Sequence, residues 1–118
     1  METVDFFSTS PKMRGYSGDT FPLFRVNIWD DTHMELSECT MRIVLEIKNI
    51  PGSVAFTKSC TYVSDSSGQG YNVRLDSSET AALCGVYTMH FILTDPDGRE
   101  YRKLVGTLEV LPVPDEGA

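Results

Sequence analysis

The chain has 118 residues, 41% of them hydrophobic and 23% charged, with a formal net charge of −7. That size and balance describe one globular domain whose core needs no covalent staples. The acidity excludes the basic face that nucleic-acid phosphates or an anionic membrane surface require, and its plain role is solubility.

In chain order, residues 1–17 read as an N-terminal strand and arm. Thr3–Ser8 can form a short edge strand, and Pro11 to Gly18, rich in turn formers, reads as a loop or ordered arm. The main domain is expected over 18–111, with 112–118 as an acidic tail opened by Pro112 and Pro114. From Phe21 to Trp29 the residues alternate, with Phe24, Val26 and Ile28 on one face and Arg25 and Asn27 on the other. Asp30-Asp31-Thr32-His33 is a polar turn, and adjacent Asp side chains on extended backbone point apart, which makes a poor chelate.

Met41, Ile43, Leu45 and Ile47 are expected inward, with Arg42, Glu46 and Lys48 outward. The period of two and the β-branched residues exclude a helix there. Asn49-Ile50-Pro51-Gly52 breaks the strand, and Val54 to Val63 reads as one further strand. After the turn cluster Asp65–Gly70, the residues Tyr71, Val73 and Leu75 alternate with Asn72 and Arg74.

Asp76 or Ser77 caps a single helical turn that Glu79 or Thr80 closes as a capping box. Tyr87, two residues after Gly85, resembles a tyrosine corner, in which the hydroxyl bonds back to nearby backbone. Tyr87, Met89, Phe91 and Leu93 form the best inward face of the chain, and His90 lies opposite with Thr88 and Thr94. Asp95-Pro96-Asp97-Gly98 is the clearest turn: proline presets its first central position and Gly98 supplies the left-handed residue. That turn pairs Asp95 with Arg99, which sets Tyr101, Lys103 and Val105 on the core face, whereas the later pattern favours Leu108 and Val110. A bulge near Gly106 reconciles the two. The result is an all-β, antiparallel β-sandwich of about seven strands with one short helical turn.

No catalytic apparatus is legible. Ser66-Ser67-Gly68 lacks the strand-to-helix context of a nucleophilic serine. His33 and His90 cannot be set beside Cys39, Cys60 or Cys84 from sequence, and no His, Cys or Asp cluster has metal-ligand spacing. The Asp95–Gly98 turn is not a calcium loop, because Gly106 stands where a bidentate glutamate is needed. A non-enzymatic protein without cofactor is therefore expected. The odd cysteine count, and a start at Met1 without a charged and apolar leader, point to free thiols and synthesis in the cytoplasm. A Cys39–Cys60 or Cys60–Cys84 bridge is the alternative.

Gly18-Asp19-Thr20-Phe21-Pro22-Leu23, followed by a strand and the Asp30-Asp31 turn, resembles the opening of phage baseplate upper-protein N-terminal domains. The order continues through Leu75, the turn Ser77–Ala82, Leu83-Cys84-Gly85-Val86-Tyr87, Asp97-Gly98 and Val105–Leu111. Order and spacing carry the resemblance, which covers Gly18 to Val110. It implies an immunoglobulin-like sandwich serving as a structural adaptor of a phage or prophage tail, and residence in the virion. Its partners would be other tail proteins or further copies of itself. An immunoglobulin-superfamily reading competes, since Glu79-Thr80-Ala81 before Tyr87 echoes a strand-F signature. Met89 stands where that signature has a cysteine, so no inter-sheet disulfide is expected.

Phe6, Phe7 and Trp29 are the candidate interface anchors. The alternative function is a ligand-binding module, carbohydrate-binding or adhesin-like, which needs a flat aromatic platform; the single tryptophan weakens it.

Overall fold

A computed structural model describes residues 2–5, 12–21, 23–28, 36–66 and 68–113. Period-two alternation becomes nine strands there: β1 (Glu2–Asp5), β2 (Lys12–Tyr16), β3 (Phe24–Asn27), β4 (Thr40–Ile47), β5 (Val54–Ser59), β6 (Thr61–Asp65), β7 (Gly68–Val73), β8 (Gly85–Thr94) and β9 (Glu100–Leu111). One helical turn, α1 (Ser77–Thr80), links β7 to β8. The strands form two sheets, ordered β1-β3-β7-β6 and β2-β9-β8-β4-β5. The chain is thus an all-β sandwich, and no described helix is long and apolar enough to cross a membrane.

The segment expected as one strand over 54–63 is two. β5 pairs with β4 in the larger sheet and β6 with β7 in the smaller, so the chain changes sheets at Cys60. Nor is Lys12–Tyr16 a loop or arm: it is β2, paired in parallel with β9, and β1 pairs in parallel with β3. The sandwich is therefore not wholly antiparallel. Parallel partners distant in sequence leave no hairpin turn to mark them.

The core lies between the sheets. Phe24, Val26, Tyr71 and Val73 enter from the smaller sheet, and Met41, Ile43, Leu45, Met89, Phe91, Leu93, Leu108 and Val110 from the larger. Phe24 and Phe91 stack across the interior with ring centroids 5.7 Å apart. Gly70 is needed here for space, because a Cβ would come within 2.4 Å of the Val26 carbonyl oxygen.

Two polar side chains on the face of β3 opposite Phe24 and Val26 are buried. Arg25 is only 4% exposed, and Asn27 is buried beside it. Arg25 Nε donates to Asn27 Oδ1 at 2.6 Å, and its two terminal nitrogens donate to Asp65 at 2.5 and 3.2 Å. Nη2 also donates to the Gly68 carbonyl at 3.1 Å. A buried guanidinium is tolerated when its donors are met in this way.

The cap and the corner form as expected. Asp76 and Glu79 make the capping box of α1, with Asp76 N–H donating to Glu79 Oε1 at 2.8 Å. The Tyr87 hydroxyl accepts from Cys84 N–H at 2.9 Å and donates to the Cys84 carbonyl at 3.1 Å. Buried Thr80 ties this corner to the N-terminal part of the chain: Oγ1 donates to the Asp19 carbonyl at 2.6 Å and accepts from Gly18 N–H at 3.1 Å.

The bulge in the last hairpin is not at Gly106. The register shifts between Leu93↔Tyr101 and Phe91↔Leu104, so the extra residue lies in Arg102–Lys103. From there Gly106 faces Met89 and Leu108 faces Tyr87, while Val105 opposes His90 and is exposed. Placing the slip at two charged residues restores the apolar alternation sooner than a slip at Gly106 would.

Candidate functional site

The most unusual surface is the hairpin joining β4 to β5. Two tight turns follow one another. Ile50 N–H donates to the Ile47 carbonyl at 3.1 Å, and Ser53 N–H donates to the Ile50 carbonyl at 3.2 Å. Asn49 (φ 68°) and Gly52 (φ 83°) take left-handed backbone at the third position of each turn. Pro51 before Gly52 is the residue pair of a type II turn. Ser53 Oγ donates to the Ile50 carbonyl, and Lys48 N–H holds the hairpin to the Val86 carbonyl at 3.0 Å. The tip is well fastened.

What it holds out is apolar. Ile47, Ile50 and Val54 are 43%, 54% and 56% exposed, and Pro51 and Val86 are exposed beside them. Ile47 is expected in the core and shares the inward parity of Tyr87, yet at the last position of β4 it is exposed. A cleft of about 470 Å³ runs from this tip onto the outer face of the larger sheet, between Ile50, Pro51, Thr88, His90 and Arg102.

At the cleft's inner end, His90 Nε2 stands 3.6 Å from Glu46 Oε1, with both side chains mostly buried. His90 Nδ1 is buried without a hydrogen-bond partner. Among the described residues the lining holds one hydroxyl, that of Thr88, and no thiol. Cys39, Cys60 and Cys84 all carry thiols rather than disulfides. Burial pushes Cys60 up to about 12, against smaller opposing effects of the Ile43 backbone and the Lys58 charge. A thiol held protonated is a poor nucleophile. Among the described residues no group of three or more His, Cys, Asp or Glu could hold a metal ion.

A second, polar site lies at the other end of β5. Lys58 Nζ donates to Glu79 Oε1 at 2.7 Å and to the Arg74 carbonyl at 2.6 Å. Desolvation works to raise the Glu79 pKa, but hydrogen bonds from Lys58 and Asp76 N–H, with the Lys58 charge, bring it below the usual carboxylate range. A pocket of about 310 Å³ beside it includes Leu23, Asn72 and Asp76, and buried Asn72 Oδ1 has no partner. This cluster joins the start of α1 to an edge strand, and its charges are largely spent on one another.

Of the residues singled out from sequence, Phe6, Phe7 and Trp29 lie outside the described residues, as does His33. The hairpin tip was missed because its four residues read as punctuation. The available signal was Ile50 itself, a large β-branched residue inside a turn where polar side chains are usual. Compared with known protein families and with curated proteins, the chain matches none.

Proposed function

We propose that this protein is a non-enzymatic structural module of a phage or prophage tail baseplate that works by protein–protein contact through the β4–β5 hairpin. The observation that carries this reading is the hairpin tip. Two hydrogen-bonded turns hold Ile50 and Pro51 in solvent, and the adjoining strand ends leave Val54 and Val86 exposed on the outer face of the sheet and Ile47 exposed on the other. Rigid, exposed apolar anchors of this kind lose little side-chain freedom on docking and gain burial.

The fold behind it is an immunoglobulin-like one on this reading. The sheet orders β1-β3-β7-β6 and β2-β9-β8-β4-β5 follow the order A-B-E-D and A′-G-F-C-C′, with one departure: β1 runs parallel to β3, where strands A and B of that fold are antiparallel. Tyr87 supports the same correspondence, since it lies near the start of β8, two positions before Met89, and bonds back to Cys84. The sequence resemblance to baseplate domains supplies the tail assignment, with synthesis in the cytoplasm and residence in the particle.

Carbohydrate binding is the rival, and it needs stacked aromatic rings at the surface. Tyr16 is the one aromatic among the exposed large hydrophobic side chains described. Two experiments test the proposal. Genes for tail proteins flanking this one support the assignment, and a neighbourhood without them counts against it. A glycan array should stay silent; reproducible sugar binding would replace assembly with recognition.

A further inference from the structure

The outer edge of β5 is open. In the larger sheet β5 pairs with β4, and among the described residues no strand pairs with its other side. Its peptide groups can be assigned to sides. Cys60 N–H donates to the Met41 carbonyl at 2.8 Å. Antiparallel pairs alternate between residues that exchange hydrogen bonds and residues whose N–H and C=O point away. Phe56 and Lys58, opposite Leu45 and Ile43, therefore bond to β4, while Thr57 and Ser59 present their peptide groups to the open side.

Natural edges are guarded by charge, proline or a bulge. β2, the opposite edge of the same sheet, exposes Lys12 and Arg14. On β5 the charged residue is Lys58, which Glu79 and the Arg74 carbonyl of its own chain already hold. No proline lies between Val54 and Ser59, and the bulge falls at Ala55, near one end. The stretch from Phe56 to Ser59 is unguarded.

We propose that this edge pairs with β5 of a second copy of the chain, antiparallel about a two-fold axis at Thr57. This deepens the assembly reading above and rests on it. In that register Thr57 opposes Thr57 of the second copy, and their outward peptide groups exchange both hydrogen bonds. Ser59 opposes Ala55, and exposed Val54 comes beside Cys60. Lys58 lies opposite Phe56, whose ring accommodates the lysine stem, so the two Lys58 charges do not face each other. A register one residue further along would set Lys58 against Lys58. The pairing joins two five-stranded sheets into one and is isologous, as a closed dimer requires. No unpartnered charge is buried.

The test uses the full chain in sedimentation velocity and light scattering over a concentration series. Wild type should show a monomer–dimer equilibrium. Thr57→Lys and Thr57→Glu each put like charges at the two-fold axis, and each should weaken dimerisation at least tenfold. Thr57 is exposed, so both variants should keep the wild-type circular dichroism spectrum. An equimolar mixture of the two should recover a heterodimer. A monomeric wild type overturns the pairing, and so does a dimer indifferent to both charges or a mixture that does not recover. If association persists in both Thr57 variants but Ile50→Glu abolishes it, the contact runs through the hairpin tip. The assembly reading then survives and the edge pairing falls. If tail genes flank the gene while the chain stays monomeric, only the self-pairing is lost.

Discussion

The two hairpin turns of the larger sheet solve the same problem with opposite surfaces. The β8–β9 turn is polar and closes on itself. Asp95 Oδ1 accepts from Asp97 N–H at 3.0 Å and Arg99 N–H at 2.8 Å, and Gly98 N–H donates to the Asp95 carbonyl at 3.0 Å. The β4–β5 turns satisfy their backbone equally well, and the second of them has proline at the same position (Pro51 against Pro96), but it carries Ile50 where the other turn carries Asp95. Backbone geometry therefore does not explain the apolar tip. A turn that only connects strands has no use for an exposed isoleucine, whereas a turn that meets another surface does.

The comparison breaks first at Gly98. Its φ of 87° is left-handed backbone that a β-branched residue resists. Gly98→Val should lower unfolding free energy by about 2 kcal/mol in urea titration. A neutral result would mean that the turn has no left-handed residue and that the two hairpins differ in backbone after all. Asp95→Ala should cost about 1 kcal/mol, because two backbone donors lose their acceptor and return to water. A cost as small as that of an ordinary surface change would show that the polar turn is no better fastened than its sequence neighbours.

The same contrast runs along β5, from Lys58 at one end to Val54 at the other. Glu79→Gln should cost roughly 0.5–1 kcal/mol at neutral pH, through a weakened cap and a lost, partly screened ion pair. Folding lowers the Glu79 pKa, so its contribution is present above the ordinary glutamate range and lost as pH falls through the lowered value. Wild type and variant should therefore converge in acid. Convergence at alkaline rather than acidic pH would assign the effect to Lys58 instead.

Sequence reasoning reached the elements whose signal is local. The Asp95–Gly98 turn, the Asp76–Glu79 box, the Tyr87 corner and the core face of β8 depend on residues within a few positions of one another. It failed where distant segments decide. Alternation sets Arg25 and Asn27 on one face of β3 but cannot reveal that they are buried there, because the hydrogen bonds of Arg25 are completed by Asp65 and Gly68, some forty residues on. Cys60 divides one alternating run between two sheets, and nothing in the period marks a change of partner. The hairpin tip was hidden for a third reason: Asn49, Pro51 and Gly52 gave a sufficient account of the turn, and Ile50 was absorbed into it.

That residue gives the smallest stability effect and the sharpest functional contrast. Ile50 packs against little, so Ile50→Ser should change unfolding free energy by less than about 0.5 kcal/mol. The same substitution removes the largest apolar side chain at the tip and should weaken any contact made there by several-fold or more. A graft at the exposed proline of the other turn is equally informative. Pro96→Ile puts an exposed isoleucine into the polar turn, and it should create no new association at concentrations where wild type is unchanged. On this reading an isoleucine anchors a partner only where further apolar side chains are exposed on the adjoining strand ends, as Ile47, Val54 and Val86 are. If both turns acquired contacts from a single isoleucine, exposure alone would suffice, and the architecture of the β4–β5 tip would have no special role.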